Sequence, residues 1–358
     1  MTEYKYIPET QRLLMSYPLE EMNPMAALRF GVGLLRQKQT FRDKDKIYST
    51  IPTPVSSDDD SYAMESDLKG TNKATYEFSK RSFTKLNHIQ TSLLGSEDLE
   101  SCYHLIAGVA TLCATIARVR SGHLPIEPHP DLSHAANLIY MMTGQIPTPA
   151  QERIMDIALI LHADHGMNAS TFASLVVAST LSDIYFAVDS GIAALSGPLH
   201  GGANEQALLM LKEIGGVQNV PQWYRDALKE KRKIMGIGHR VYKVYDPRAR
   251  ILGPLADILI GDDNQMRPLF ETAKALEDEV SKTLGQEKKL FPNVDFYSGL
   301  VYAALGVPSE FFTPMFAVSR VAGWTSRILE YLKNNRIFRP RALYVGQFNK
   351  KIKERALS

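Results

Sequence analysis

The amino-acid sequence predicts an all-α protein, and three observations lead to that prediction. Windows of apolar residues at the helical period recur along most of the 358 residues, whereas strict apolar–polar alternation is nearly absent. No repeat with a period of roughly 20 to 50 residues is visible, which argues against a solenoid. Apolar residues make up 44% of the chain and charged residues 22%, as in an ordinary folded globular protein.

The helices expected in the first third of the chain are separated by a polar stretch. A first pair is expected within residues 14–35, where Asn23-Pro24 places one helix start at Met25. Residues 41–87 are rich in serine, aspartate and lysine, with two early prolines, and predict a long polar loop or insertion. Helical period returns over residues 98–117. The apolar part of that stretch falls short of the ~20 residues that a bilayer span requires, so we expect a buried helix.

The remaining two thirds predict helices in close succession. The segment 170–195 is apolar or small on nearly every side, so we expect one central helix that is buried on all faces. The other segments with helical pattern are residues 131–144, 149–162, 205–214, 252–284 as two helices, and 314–332.

Charge and cysteine content restrict the partners and the compartment. Lys and Arg number 41 against 39 Asp and Glu, a formal net charge of +2, so overall charge implies neither a nucleic acid nor a membrane surface as partner. Cys102 and Cys113 lie about 16 Å apart along one predicted helix, too far for a disulfide. The amino-terminal residues contain no apolar signal core. We therefore expect a cytoplasmic protein in a reducing compartment.

A histidine in a glycine-rich turn is the first candidate for chemistry. His200 lies in SGPLHGGAN, residues 196–204, just before a predicted helix. Glycines let backbone approach a ligand, and a helix start favours a neutral histidine and negative charge that develops nearby. A loop histidine without function is the alternative.

A second histidine lies among cations. His239 belongs to GIGHRVYK, residues 236–243, and Arg240, Lys243 and Arg248 are close to it in sequence. The third glycine of a dinucleotide-binding fingerprint is missing. The segment suits an anionic ligand, although a solvated basic turn fits about as well.

Two further segments carry acidic residues. Asp295 is the one acid in FPNVDFYSG, residues 291–299, where apolar neighbours would desolvate it and raise its proton affinity; a helix cap explains it nearly as well. His162, Asp164 and His165 could begin a metal site, but no further ligand stands at a suitable spacing.

Taken together, these segments resemble one family, the citrate synthases, including the 2-methylcitrate and alkylcitrate synthases of the same fold. GPLHGGAN, GIGHRVYK with YDPRA, and FPNVDFYSG stand in the family's order and spacing, and LHADHGMNAS, FAVSRVAGW and RPRALYVG agree as well. The resemblance runs from about residue 94 to residue 346. Two features depart from the family pattern: Asn23 stands where a histidine is usual, and the 41–87 stretch is longer and more polar.

The resemblance implies a two-domain helical fold with the substrate cleft between the domains. We expect a large domain from residues 1–196 with 313–358 and a small domain from residues 197–312. It also implies a homodimer, in which Arg339 reaches into the partner's cleft.

The activity implied is the condensation of oxaloacetate with an acyl-CoA, foremost acetyl-CoA to citrate, followed by thioester hydrolysis that releases CoA. By resemblance Asp295 takes the α-proton, His200 hydrogen-bonds the thioester oxygen and His239 donates to the oxaloacetate carbonyl. Ser170 is expected to orient His200, and Lys243 to meet a CoA phosphate. The residues expected to bind oxaloacetate or lie on its side of the site are His165, Asn168, Arg248, Arg320 and Arg339. No metal or redox cofactor is implied.

Other functions stay open at this point. A 2-methylcitrate or longer-chain alkylcitrate synthase needs the same catalytic groups, because these products differ only in the volume of the acyl pocket. From other classes, a metal-dependent hydrolase would use His162, Asp164 and His165, and a non-catalytic relative would serve as a scaffold.

Overall fold

The regular secondary structure of the described residues is helical. The computed structural model describes residues 7–35, 96–239, 241–263 and 265–348. Within these ranges, the one β pairing is an isolated antiparallel bridge between Ile237 and Pro292. The all-α prediction is confirmed. The predicted polar loop at 41–87 lies outside the described residues, as does Arg240.

The main helices of the described ranges follow one another with short connections. In chain order they are α1 (Pro8–Met15), α2 (Pro24–Leu34), α3 (Ser96–Arg120), α4 (His134–Thr143), α5 (Pro149–Ala163), α6 (Ala169–Ser179), α7 (Ile184–Leu195), α8 (Ala203–Ile214), α9 (Val220–Lys229), α10 (Pro247–Ile260), α11 (Arg267–Val280), α12 (Val294–Ala304) and α13 (Phe312–Leu332). After α11, the π-helical segment Ser281–Gly285 and a short helical turn, Gln286–Lys288, continue the chain.

Side-chain caps explain several of the predicted helix starts. The Asn23 Oδ1 accepts the Met25 backbone N–H at 2.9 Å and begins α2. Ser133 caps α4 in the same way. At α5, Thr148 and Gln151 form a reciprocal capping box. Asn23 therefore has a capping role at the position where the family resemblance would place a histidine.

The prediction of a single central helix over 170–195 was wrong. The segment forms two helices, α6 and α7, which pack against each other. Leu181 adopts a left-handed conformation with φ of 62°, and Asp183 starts α7 by accepting the Tyr185 N–H at 2.8 Å. The pair is not buried on all faces either, since Phe172 and Phe186 are exposed. The sequence does not predict this break, because no glycine or proline marks it.

The long apolar helix α3 lies inside the fold. By length and composition, residues Leu99–Arg120 would suffice to cross a membrane, but 78% of that apolar window is buried within the protein. The helix packs against α2, α4 and α13. Cys102 and Cys113 are both buried thiols, and no disulfide joins them. The predicted buried helix and the absence of a disulfide between these two cysteines are confirmed.

Helix α13 packs against helices from several parts of the chain. It packs against α3, α5, α6 and α7, while α12 packs against α8 and α10. A Cβ at Gly323 would lie 2.1 Å from the Ala163 carbonyl oxygen, so α13 crosses the end of α5 in backbone contact. This crossing places Arg320, one helical turn before Gly323, beside the end of α5.

Candidate active site

His200 is held by the start of helix α6. The Ser170 backbone N–H donates to the His200 Nε2 at 3.2 Å, and the Ser170 Oγ lies 2.9 Å from the same nitrogen. Because Nε2 accepts a backbone N–H, the proton of the neutral ring is on Nδ1. Burial, together with the charge of Arg320, lowers the pKa of His200, so the ring is neutral at pH 7.

The Ser170 hydroxyl is itself fixed by two further side chains. Its Oγ lies 2.7 Å from the Asn168 Oδ1 and accepts the Trp324 Nε1–H at 3.2 Å. The Asn168 Oδ1 also accepts the Thr171 N–H at 3.1 Å and caps α6. The structure thus brings Ser170, Asn168 and His200 together in one hydrogen-bonded group.

Glycines are required in the turn that carries His200. A Cβ at Gly201 would lie 2.2 Å from the Leu195 carbonyl oxygen. Gly202 has φ of 82°, a conformation that side chains rarely adopt. The close approach at Gly201 is thus to the protein's own backbone, and it sets His200 just before α8; the expected approach to a ligand stays a prediction.

His239 lies in a loop that is tied to the start of α12. Its Nδ1 accepts the Val241 and Tyr242 backbone N–H groups at 3.1 and 3.2 Å, so the neutral ring carries its proton on Nε2. The Asn293 side chain donates to the Gly238 carbonyl at 2.8 Å. Burial and then the charge of Arg248 lower the pKa of His239, which leaves a neutral ring whose donor is Nε2–H.

The rings of His165, His239 and Tyr242 form an aromatic cluster. The His165 centroid lies 5.0 Å from that of His239 and 5.6 Å from that of Tyr242. Burial, Arg248 and His239 lower the pKa of His165 to about 4. The His165 Nε2 is buried and has no hydrogen-bond partner among the described residues. It is available to a bound ligand.

Arg320 is a buried cation at the candidate site. Its side chain is 1% exposed, its Nε donates to the His162 carbonyl at 2.6 Å, and its guanidinium lies 4.6 Å from the Phe316 ring centroid. Burial lowers its pKa to about 10, and because this value is still well above 7 the guanidinium is charged at neutral pH. No described carboxylate lies within ion-pair distance of it. Since a buried charge is costly unless paired, the ligand is expected to supply a carboxylate.

Arg248 is fixed by a neighbour that the sequence analysis did not single out. The Arg248 Nη2 and Nε donate to the two Asp246 carboxylate oxygens at 2.8 and 3.1 Å. Burial would raise the pKa of Asp246, but the bonds from Arg248 hold it below its usual value. Asp246 also accepts the Val294 N–H at 3.2 Å. An aspartate before a proline predicts only a helix cap, which Asp246 also provides to α10.

Asp295 is a half-buried carboxylate in the first turn of α12. Its backbone N–H donates to the Asn293 Oδ1 at 2.9 Å. Desolvation raises the pKa of the Asp295 carboxyl to about 6, although Arg248 and Arg320 both act to lower it. The predicted desolvation is present, and burial outweighs two nearby cations. The carboxyl is therefore mostly ionised at pH 7 and accepts a proton readily.

The charges of Arg248 and Arg320 reach most of the predicted site residues. Both cations affect the titration of His165 and Asp295, and Arg320 affects that of His200. These five side chains therefore share one electrostatic environment, although they come from five different helices or helix ends.

Two predicted site residues lie away from this group. Lys243 is exposed, with its Nζ 3.5 Å from the His239 carbonyl oxygen at the rim of the site. Arg339 is exposed on the segment after α13, which is anchored where the Phe338 N–H donates to the Ser179 Oγ at 3.0 Å. The described chain does not bring Arg339 into its own site.

A cavity opens beside His200. It has a volume of about 350 Å³, and its lining includes Met25, Leu199, Met235 and Thr313 besides the histidine. The Leu199 side chain is fully exposed. The site thus offers an open, mixed polar and apolar space next to His200.

The residues considered for a metal site, His162 and Asp164, bond to different parts of the protein. The His162 Nδ1–H donates to the Ala158 carbonyl at 2.7 Å, and Asp164 pairs with the Arg327 Nη2 at 2.8 Å. In the part of the chain that the structure describes, no group of three or more His, Cys, Asp or Glu residues is placed to hold a metal ion.

The arrangement suits the chemistry of a weakly acidic C–H group. Asp295 can take a proton near neutral pH, two neutral histidines can donate to oxygen atoms on which negative charge develops, and Arg248 and Arg320 can bind carboxylates.

Comparisons with known proteins show which family this chain is similar to. The family description "Citrate synthase, C-terminal domain" matches residues 1–341. The citrate synthase of Deinococcus radiodurans is 48% identical over 242 residues, which are 68% of this chain and 64% of that protein. The chain thus spans somewhat less than two thirds of that curated relative's length.

Solved structures give the same result for the fold. The citrate synthase of Pyrobaculum aerophilum is 38% identical, with a TM-score of 0.78, and the alignment covers 98% of this chain and 78% of that one. The citrate synthase of Thermoplasma acidophilum, solved in a ternary complex with carboxymethyl coenzyme A and oxaloacetate, is 30% identical with a TM-score of 0.75, and the alignment covers 98% of this chain and 80% of that one. By family match, sequence identity and fold, the chain belongs to the citrate synthase family.

Proposed function

We propose that the protein condenses acetyl-CoA with oxaloacetate and hydrolyses the resulting thioester to citrate and CoA. One observation carries the proposal: a desolvated carboxylate, Asp295, shares its site with two neutral histidines and two arginines. The relatives described above are citrate synthases, which favours acetyl-CoA as the acyl donor. The Thermoplasma acidophilum structure holds oxaloacetate and a CoA analogue.

The first step is proton abstraction from the acyl group. Asp295 accepts an α-proton of acetyl-CoA, and the Nδ1–H of His200 donates to the thioester oxygen as the enolate forms. The bond from Ser170 to Nε2 keeps the Nδ1 proton in place during this step. A general base of this kind typically contributes about 10²–10⁴-fold to the rate.

The second step forms the carbon–carbon bond. The enolate carbon attacks the ketone carbon of oxaloacetate, and the Nε2–H of His239 donates to the ketone oxygen as it becomes an alcohol. Arg248, Arg320 and His165 bind the carboxylates of oxaloacetate; arginine suits this task because its planar fork matches a carboxylate. Water then cleaves the citryl thioester, so that citrate and the CoA thiol are released.

Each of these steps is a proton transfer, a carbon–carbon bond formation or a hydrolysis. The chemistry therefore requires no redox cofactor and no metal. The exposed Lys243 at the rim is suited to meet a CoA phosphate.

The proposed assembly is a homodimer whose clefts are completed by Arg339 of the neighbouring subunit. Arg339 is exposed, and the side chains of Leu343, Val345 and Phe348 after it are also largely exposed. Apolar residues clustered on an exposed segment mark an interaction surface. Within each subunit we propose a large domain of residues 1–196 with 313–358, a small domain of residues 197–312, and closure of the cleft between them.

A cytoplasmic location completes the proposal. Cys102 and Cys113 are buried thiols that form no disulfide with each other, which fits a reducing compartment.

A product assay tests the proposed function. Purified protein is incubated with oxaloacetate and, in separate reactions, acetyl-CoA and acyl-CoAs of increasing chain length, and the products are identified by mass spectrometry. The proposal expects citrate and free CoA from acetyl-CoA at the highest kcat/KM. Absence of citrate would refute the condensation, and a higher kcat/KM for a longer acyl-CoA would refute the assignment of acetyl-CoA.

A further inference from the structure

A buried carboxylate on α11 receives three hydrogen bonds. The Glu277 side chain is 6% exposed. The Tyr245 hydroxyl donates to its Oε1, the Tyr297 hydroxyl donates to its Oε2, and the Lys274 Nζ lies 2.6 Å from the same Oε2. None of these four residues is used in the proposed mechanism. We call Glu277, Tyr245 and Tyr297 the Glu277 clamp.

Both tyrosines are neutral donors. Burial, followed by the interaction with Glu277, raises the pKa of Tyr245 and that of Tyr297, so both hydroxyls keep their protons at neutral pH. An ionised carboxylate is purely an acceptor, and hydrogen bonds to a charged group are among the stronger ones. The clamp is therefore a firm attachment of two chain segments to α11.

The two segments are those that carry the site. Tyr245 directly precedes Asp246, which holds the guanidinium of Arg248. Tyr297 lies two residues after Asp295 in the first turns of α12. Glu277 thus bonds, on one side, to the loop that orients a substrate-binding arginine and, on the other, to the helix that carries the base.

Asp246 provides a second connection between the same segments. Its carboxylate accepts the Val294 N–H at 3.2 Å, one residue before Asp295. This bond sets the two segments against each other but does not involve α11. The Glu277 clamp adds hydrogen bonds from both segments to α11.

We propose that Glu277 is a positioning residue, which fixes Arg248 and Asp295 relative to each other and to α11 through Tyr245 and Tyr297. The inference rests on the proposed condensation, in which Arg248 binds oxaloacetate and Asp295 abstracts the proton. Its physical basis is that a displacement of about 1 Å at a reacting group can cost about 10²-fold in rate.

The two arms of the clamp predict different kinetic effects. Tyr245→Phe removes the bond on the arginine side, so it should raise the KM for oxaloacetate at least about tenfold and leave kcat within about twofold. Tyr297→Phe removes the bond on the base side, so it should lower kcat at least about tenfold and leave the KM for oxaloacetate within about twofold. Glu277→Gln should show both effects.

Tyr224→Phe is the matched control. Tyr224 is a buried tyrosine of α9 whose hydroxyl bonds the Thr283 Oγ1, near the end of α11 but apart from Arg248 and Asp295. Tyr224→Phe removes one tyrosine hydroxyl, which is the same chemical change as in Tyr245→Phe and Tyr297→Phe. It should lower the denaturation midpoint to a similar extent, with kcat and KM unchanged.

A second measurement separates failure of the clamp from failure of the proposed function. Hydrogen exchange of backbone amides in residues 244–248 and 293–297 needs no catalysis. Glu277→Gln should accelerate exchange in both segments, and Tyr224→Phe in neither. If wild-type protein forms no citrate, the proposed function fails, and these exchange rates alone decide whether the clamp exists.

Two results would overturn the inference. One is a set of clamp variants that lose stability as Tyr224→Phe does while exchange in both segments stays unchanged. The other is an active enzyme in which Tyr245→Phe and Tyr297→Phe have the same kinetic effect, without the expected division between KM and kcat. If Glu277→Gln does not fold, the two tyrosine variants still decide the question.

Discussion

Replacing Asp295 by asparagine is expected to make the protein more stable at pH 7 while it removes most of the turnover. The pKa of this carboxyl is about 6 in the folded protein against an ordinary value of 3.8, chiefly through desolvation. Since one pKa unit corresponds to about 1.4 kcal/mol, the ionised carboxylate lowers the free energy of unfolding at pH 7 by about 3 kcal/mol. That value already includes the attraction of Arg248 and Arg320. Asparagine has a similar shape and carries no charge, so Asp295→Asn should recover up to this amount.

The free-energy cost of burying the Asp295 carboxylate depends on pH. Above about pH 6 the Asp295 carboxyl is ionised in both folded and unfolded chains, and the folded protein bears the full cost of its burial. Between about pH 6 and pH 3.8 the folded protein takes up the proton first, so the cost shrinks. Below pH 3.8 the carboxyl is neutral in both states and the difference from asparagine disappears.

Denaturant unfolding of wild type and Asp295→Asn from pH 4 to pH 8, at one fixed protein concentration, measures this difference. In parallel, kcat should fall by at least about 10²-fold, and oxaloacetate binding by calorimetry should be retained. A variant that is less stable than wild type at pH 7, or more stable by the same amount at every pH, would contradict the desolvation argument. Near-normal turnover with weakened oxaloacetate binding would show that Asp295 is a binding or capping group.

Four further outcomes are expected. In a pH–rate profile, kcat/KM should fall about tenfold per pH unit below about pH 6, because protonated Asp295 cannot act as a base; a flat profile down to pH 5 would exclude it. Ser170→Ala keeps the backbone N–H but loses the hydroxyl beside His200, so kcat should fall about tenfold with oxaloacetate affinity unchanged, as steady-state kinetics and calorimetry would show. Arg320→Lys loses the planar fork and should weaken oxaloacetate binding at least about tenfold by calorimetry, whereas unchanged binding would remove Arg320 from the site. Mixing inactive Arg339→Ala and Asp295→Ala proteins should restore some activity through hybrid dimers with one intact cleft, and no restoration after subunit exchange would place each site within a single chain.

Local sequence was sufficient for most of the fold because helix starts and amphipathic faces depend on residues a few positions apart. Asn23 and Ser133 form their caps with the next two or three residues, and the structure has both caps. The glycines around His200 likewise predict a turn with little side-chain bulk, whereas the contact of Gly201 with the Leu195 carbonyl is seen only in the structure. The break at Leu181 was missed because a leucine adopts the left-handed conformation there, whereas the residue that would have indicated it is glycine.

By itself, the sequence determined that the chain is helical, which motifs it carries, and thus which residues are candidates for a base, two donors and a set of cations. Only the tertiary structure decided how those candidates are tuned. The pKa of Asp295 and the burial of Arg320 depend on how much water the surrounding helices exclude. The role of Asp246 and of Glu277 was likewise invisible, since their partners stand on separate segments of the chain. Desolvation and long-range hydrogen bonds depend on every neighbour in space, and a local pattern of residues does not contain that information.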